Sequence, residues 1–355
     1  MRIGIVSDAW RPQTNGVVTT LARTVECLRA FGHDVSLMTP EGLPTIACPT
    51  YPEIRLALFQ GRRIGEWLEE FRPDALHIVT EGPLGLAARQ AAIRRGLCFT
   101  TSYHTQFPQY LRARYPLPEA LTYAALRVFH GRATRTMVNT QQVRSELRRY
   151  GFKHLVPWSR GVDTDLFRPS EVVRQARQQP VLIYVGRVAV EKSVEDFCRV
   201  PLAGAKIVVG GGPQLAELSA RYPQVKFVGF RYGEDLAQLL READCFVFPS
   251  RTDTFGLVML EAMASGLPVA AYPVTGPIDV VREGQTGCLR INLADAIEAA
   301  LQLDRAACRA QALEYRWESS TREFVGNLVD VRATVARRRR APGRALLVVA
   351  RRWCG

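Results

Sequence analysis

The alternation of short apolar runs with helical stretches, completed once and then begun again, most limits what this chain can fold into. RIGIVSD reads as a strand, NGVVTTLARTVECLRAFG as a helix closed by Gly32, and HDVSLMT as a second strand. PDALHIVT and GPLGLAARQAAIRRG repeat the pair. Strands alternating with helices predict parallel βαβ units in a doubly wound sheet. The pattern restarts near residue 180 with PVLIYVGR, AKIVVGGG, QVKFVGF and ADCFVFPS. PVLIYVGR is apolar almost throughout, as expected where both faces of a parallel sheet are covered. The fold expected is therefore α/β, with two Rossmann-like doubly wound domains facing across a cleft and a C-terminal helix. Residues 1–168 form the first domain on this reading, and 169–315 the second. Residues 316–336 form a helix packing back on the first domain, and 337–355 a basic apolar tail. The turn-rich stretch RGVDTDLFRPSEVVRQARQQP is the expected linker. The cleft, lined by the carboxyl ends of strands, is where a ligand is expected.

Composition narrows the class. With 355 residues, 47% hydrophobic and 23% charged, the chain has the composition of a globular protein large enough for two cores. No apolar run approaches the roughly 18–20 residues of a membrane span. MRIGIVSDAW opens as a strand and not as a secretory signal. The eight cysteines are scattered without metal-ligand spacing and read as reduced thiols of a cytoplasmic protein. The net charge of +13 is uneven: eight Arg and no acid follow Val331, and Gln109–His154 holds nine Lys or Arg against two Glu. Such clusters suit phosphate-rich partners, either nucleic acid or an anionic membrane face.

Four segments have residues suited to chemistry. In PQTNGVVTTLAR, Asn15 and Gly16 open a helix straight after the first strand, and the helix N-terminus attracts anions. In YVGRVAVEKSVEDF, Arg187 and Lys192 follow a strand end, where two cations can grip a diphosphate, or equally stand solvated. In PSRTDTFGLVMLEAMASGLP a helix is expected to begin near Thr254. It would place Asp253 at its entrance, Glu261 two turns along, and free amides at Phe255 and Gly256. His104, in TSYHTQFPQY, follows a strand-like run; a lone His is more often structural than catalytic. Two other patterns carry less weight. GGGP lacks nucleotide-loop spacing, and Asp163-Thr164-Asp165 lies in a turn-rich linker where metal binding is not expected.

Taken together, PQTNGVV, SYHTQF, GVDTDLF, YVGR with Lys192, GGGP and PSRTDTFGLVMLEAMASGLPV resemble the retaining family 4 glycosyltransferases of the GT-B fold, from residue 1 to about 330. TDTFGLVMLEA with TGPIDVV looks closest to bacterial GDP-mannose-dependent mannosyltransferases and glycolipid-forming members. The resemblance implies a hexosyltransferase that moves mannose from GDP-mannose, or another hexose from a UDP-sugar, without cofactor or metal. Gly16 and Asn15 would lie by the donor diphosphate, Arg187 and Lys192 would neutralise it, and Glu261 would hold the ribose. His104 would sit near the transferred sugar, with Phe255 and Gly256 offering amides. Asp253 stands where the family pattern has Glu, so its reach to the sugar is shorter. The acceptor implied is a lipid, lipid-linked glycan or polysaccharide. Arg112, Arg127, Arg135, Arg144 and Arg148 would press on an anionic membrane from the cytoplasmic side. UDP-glucose or UDP-glucuronate transfer to diacylglycerol is the alternative enzyme reading. A non-catalytic sugar-nucleotide sensor and a basic nucleic-acid-binding protein are the readings from other classes. Against the last, the basic residues lack interleaved aromatics, so nucleic acid is not an expected partner.

Overall fold

Short runs of Val, Ile and Leu can lie in a parallel sheet only if both faces are covered, and in the computed structural model they are. Its described residues are 1–13, 15–48, 51–104, 108, 109, 112, 118–170, 179–251 and 253–333, with 51–54 described by backbone alone. The basic tail expected at 337–355 lies outside them. The strands before residue 158 are β1 (Arg2–Val6), β2 (Asp34–Met38), β3 (Ile46–Cys48), β4 (Tyr51–Leu56), β5 (Ala75–Ile78), β6 (Thr100–Tyr103), β7 (Arg135–Val138) and β8 (Leu155–Pro157). Six of them form a parallel sheet in the order β2-β1-β5-β6-β7-β8, and β3 with β4 forms an antiparallel ribbon. The second set is β9 (Val181–Val185), β10 (Ala205–Val209), β11 (Lys226–Phe227), β12 (Cys245–Phe248), β13 (Val269–Ala271) and β14 (Gly287–Leu289). These make a second parallel sheet, in the order β11-β10-β9-β12-β13-β14.

Alternation within single strands shows the double burial. Ile3 and Ile5 pack with Leu21, Val25 and Phe324 on one face of the first sheet, whereas Val6 joins Ile64, Leu68 and Leu84 on the other. In β9, Ile183 and Val185 meet Leu240, Leu260 and Met263, and Leu182 and Tyr184 meet Phe197 and Ile297. Each sheet reverses its winding direction beside its first strand, between β1 and β5 and between β9 and β12. Loops at the carboxyl ends of these strand pairs diverge and leave a crevice. The Asn15–Gly16 turn, the Arg187–Lys192 loop and the Asp253–Gly256 loop all begin there. No helix among the described residues is long and apolar enough to cross a membrane.

The chain crosses between domains twice, and the crossings touch. Val162 donates its N–H to the Tyr315 carbonyl (3.0 Å), and Ser320 Oγ donates to the Ser159 carbonyl (2.8 Å). Beyond them, the helix Trp317–Asn327 lies on the first domain, with Phe324 fully buried beside Trp158. This helix is shorter than the apolar spacing predicts. After Leu328 the chain extends, and Val331 trades helical bonding for Asp74 and Cys98 backbone partners at the sheet margin. Burial of Val331 in the first core accounts for the departure.

Gly161 lies where the two crossings meet. A Cβ there would stand 2.6 Å from both the backbone N and the ring of Trp317. Gly161→Ala is expected to lower stability by about 1–3 kcal/mol, the usual cost of overpacking. Denaturant unfolding checks this; an unchanged midpoint would show that the crossing is not tightly packed.

Candidate active site

Backbone approach at the end of β9 shapes the cationic side of the cleft. Gly210, from the GGGP run, has φ +130°, and a Cβ on it would lie 1.9 Å from the Gly186 carbonyl. Glycine is required there so that β10 can press on the loop carrying Arg187. Partial burial holds the Arg187 guanidinium below its ordinary pKa. Lys192 ends a short 3₁₀ turn, Val190–Lys192, and its Nζ lies 2.5 Å from Asp253 Oδ2, both side chains being mostly buried. The shorter carboxylate at position 253 therefore meets a lysine across the loop between β12 and the following helix.

That helix spans Leu257–Ala264 and begins three residues later than the sequence pattern predicts. The delay has a local cause. Thr254 Oγ1 donates to the His104 carbonyl of the other domain (2.7 Å), and Gly256 adopts φ +79°, so the segment is held extended and then turned sharply. The side chain of Phe255 is buried, and neither its amide nor that of Gly256 has an acceptor among the described residues. Glu261 lies in the second turn, and burial alone lifts its pKa to about 7, although part of its surface still meets solvent.

Opposite, Gly16 approaches Leu257, to which a Cβ would be 3.5 Å away. Asn15 Oδ1 caps the helix Gly16–Ala30 by accepting from Val17 and Val18 N–H, each at 3.0 Å. Two of the amides at this anion-attracting helix N-terminus are thus already satisfied, leaving the Gly16 end of the turn to face the cleft.

His104 is neutral and doubly bonded. Arg160 Nη2 donates to its Nδ1 (3.0 Å), which puts the ring proton on Nε2, 2.7 Å from Ser102 Oγ. Burial and the neighbouring Arg160 hold its pKa well below the ordinary value. Such a ring is a fixed dipole and not a proton shuttle. Arg160 itself is buried, donates to the Trp158 and Ser159 carbonyls, and lies over the Trp158 ring at 4.5 Å. Burial lowers its pKa to about 9, which still leaves it cationic at neutral pH.

Sequence reasoning missed Arg160, whose signal was faint: an Arg three residues after the short strand β8, before the linker glycine. It also missed Asp8. The buried Asp8 carboxylate accepts the Leu84 and Gly85 amides and so caps the helix Pro83–Arg95 from the next loop. Asp163 of the DTD run is engaged by Arg23 at 2.9 Å and by the Leu166 amide.

The five basic residues expected at an acceptor or membrane face have different local surroundings. Arg112 pairs with Glu119, and Arg127 donates to the Tyr150 carbonyl. Arg135 begins β7, away from the strand ends that form the cleft, and bonds the Gly326 carbonyl. Arg148 is exposed on the helix Gln141–Arg149, whereas Arg144 on that helix has a buried Nε.

Residues 14–166 match the family described as Glycosyltransferase Family 4, and residues 179–305 match Glycosyl transferases group 1. A GDP-mannose-dependent alpha-mannosyltransferase of Corynebacterium glutamicum is 30% identical over 81% of this chain and 76% of its own length. The chain belongs to the family 4 glycosyltransferases. A mannosyltransferase of the same description from Mycobacterium tuberculosis is 29% identical over 94% of this chain and 97% of its own. The Arabidopsis thaliana sulfoquinovosyl transferase SQD2 is 31% identical over 84% and 67%. Among solved structures, sucrose-phosphate synthase from Thermosynechococcus elongatus superposes with a TM-score of 0.74 at 21% identity, over 92% of this chain and 97% of that one. The fold is GT-B, and the enzyme is a hexosyltransferase that uses a nucleotide-sugar donor.

Within this transferase, Glu261 gives a signed prediction. A carboxyl with a higher pKa folded (about 7) than unfolded (4.5) binds extra protons when folded, so stability falls as pH rises between those values. Glu261→Gln is expected to stabilise the free enzyme at pH 8 by on the order of 1–3 kcal/mol, an advantage that fades toward pH 4.5. Thermal unfolding at pH 8 and pH 4.5 reads this directly; equal midpoints at pH 8 would refute the burial argument.

Proposed function

We propose that this enzyme transfers a hexose, mannose from GDP-mannose favoured, with retention of configuration at the transferred carbon. The observation that carries the reading is the convergence of Arg187, Lys192, Asp253 and His104 at the strand ends of two sheets, the domains tied by the Thr254–His104 bond. Arg187 and Lys192 face the departing diphosphate, and Glu261 accepts from ribose hydroxyls. The Phe255, Gly256 and Gly16 amides, at helix entrances, add partial positive charge where anionic oxygens develop. Charge appears on the leaving group as the glycosidic bond breaks, so prearranged cations and amides supply most of the rate enhancement. His104 and Asp253 frame the sugar as fixed polar groups, His104 through a neutral ring and Asp253 through a carboxylate oriented by Lys192.

The mannosyltransferase relatives support the donor assignment. The sulfoquinovosyl transferase relative supports transfer of a sugar other than mannose as a second reading, for which UDP-glucose or UDP-glucuronate is the proposed donor and diacylglycerol the proposed acceptor. Arg187→Ala and Lys192→Ala are each expected to lower kcat/KM by roughly 10²–10³. Protection against thermal unfolding identifies the donor first: GDP-mannose is expected to raise the midpoint more than UDP-glucose or UDP-glucuronate. Near-normal kcat/KM in either variant would reject the leaving-group assignment, and protection by UDP-sugars alone would reject mannose.

The acceptor proposed is a lipid, lipid-linked glycan or polysaccharide met at the cytoplasmic face of an anionic membrane. Leu121 and Val128 support this: they lie seven residues apart on the helix Glu119–His130, each more than 60% exposed, beside Arg127. Flotation with anionic liposomes is expected at low salt and lost at high salt. Failure to float at low salt would exclude a membrane-bound site of action.

A further inference from the structure

Thr254 stands where a helix-capping residue is expected, and it does not cap. A threonine hydroxyl just before a helix ordinarily accepts from the first free amides. The helix Leu257–Ala264 has Gly256 at its N-cap and no side-chain cap. The Thr254 hydroxyl instead donates across the cleft to the His104 carbonyl, at 2.7 Å, with only 7% of the residue exposed. A polar side chain that forgoes its local partner for one 150 residues away marks a site where the fold serves something other than local stability.

Both ends of this bond are held. On the first domain, His104 has Arg160 on one ring nitrogen and Ser102 on the other. On the second, Asp253 pairs with Lys192, and the buried Phe255 ring meets Tyr315 edge-on at 6.3 Å. Gly276 backs the same loop: a Cβ there would stand 3.2 Å from the Asp253 carbonyl and 3.5 Å from that of Phe255. A bond between two stiff segments transmits position. Contact between the domains does not rest on it alone, because the Gln142 amide donates to Asp279 Oδ1 (3.2 Å) at a separate place. The Thr254 bond is thus placed to set the register of the two domains at the site.

Resting on the transferase reading above, we propose that Thr254 is a positioning residue, which registers the sugar side of the site on the first domain against the donor loop on the second. Arg187, Lys192 and Glu261 all belong to the second domain, so a nucleoside diphosphate alone binds without this register. The hexose is framed by His104 and Asp253, one on each side of the bond, and depends on it. A misplacement of about 1 Å between such groups costs on the order of 10²-fold in rate.

The test compares the full chain with Thr254→Val, which keeps the side-chain shape and loses the hydroxyl, and with Thr254→Ser, which keeps the hydroxyl. Thr254→Ala serves the same comparison with the side chain shortened. Calorimetric titration with GDP-mannose, UDP-glucose, GDP and UDP first identifies the pair that the wild type binds. In Thr254→Val, affinity for that nucleotide-sugar should fall about tenfold while affinity for its nucleoside diphosphate stays within about twofold, and nucleoside diphosphate release from saturating donor should fall roughly 10–100-fold. Thr254→Ser should recover both to within about threefold of the wild type. The affinity ratio decides alone where release is too slow to follow. Equal losses for nucleotide-sugar and nucleoside diphosphate, with a lowered thermal midpoint, reduce Thr254 to a structural role and overturn the proposal. An unchanged ratio in Thr254→Val, or a Thr254→Ser no better than Thr254→Val, overturns it too. In each of these cases donor binding by the wild type leaves the transferase reading standing. A wild-type chain that binds none of the four nucleotides overturns both.

Discussion

A buried guanidinium at the end of the first domain organises the rest of the cleft. Burying a cation is costly unless its donors are satisfied and a charge or π-face lies close. Arg160 meets those terms with two carbonyls, the His104 ring nitrogen and the Trp158 face. The consequences spread outward. His104 is fixed in one tautomer, its Nε2–H is directed to Ser102, and Ser102 in turn contacts the buried His77. Trp158 packs on Phe324, which pins the returning helix. Glu323 on that helix accepts the Ser159 amide beside the guanidinium. One residue at the crossing thus couples the return of the chain to the orientation of the His104 ring.

On the second domain the Lys192–Asp253 pair is mostly buried but keeps some contact with solvent. A carboxylate and an ammonium at such a site hold each other in place, because separating them leaves a charge without its partner. On the proposed reading, a diphosphate brings the charge that replaces the carboxylate beside Lys192.

The two-domain plan was legible because strands buried on both faces have a compositional mark that survives without context. Glycines at forced approaches were legible as a run, although GGGP was set aside; its meaning lies in the Gly186 carbonyl that Gly210 must approach. Arg160 and Asp8 were not legible, since their partners are long-range. Arg160 meets a histidine 56 residues away, and Asp8 caps a helix 76 residues on. Local rules erred for the same reason. The helix expected from Thr254 starts at Leu257 because Thr254 answers to a carbonyl 150 residues earlier. The expected free amides after Asn15 are partly consumed because Asn15, a favoured capping residue, caps.

Burial acts alike on the two charged residues proposed to meet the donor. Arg187 is held below its ordinary pKa and Glu261 above it, each because burial disfavours its charged form. A nucleotide-sugar has complementary groups at both ends: an anionic diphosphate for the cation and ribose hydroxyls that donate to the carboxylate. On that proposal, binding the donor offsets part of the desolvation cost, at sites that both follow strands of the second sheet. On the proposed reading the gain falls at Glu261, the group whose charge burial disfavours at neutral pH; Arg187 is a cation with or without the donor.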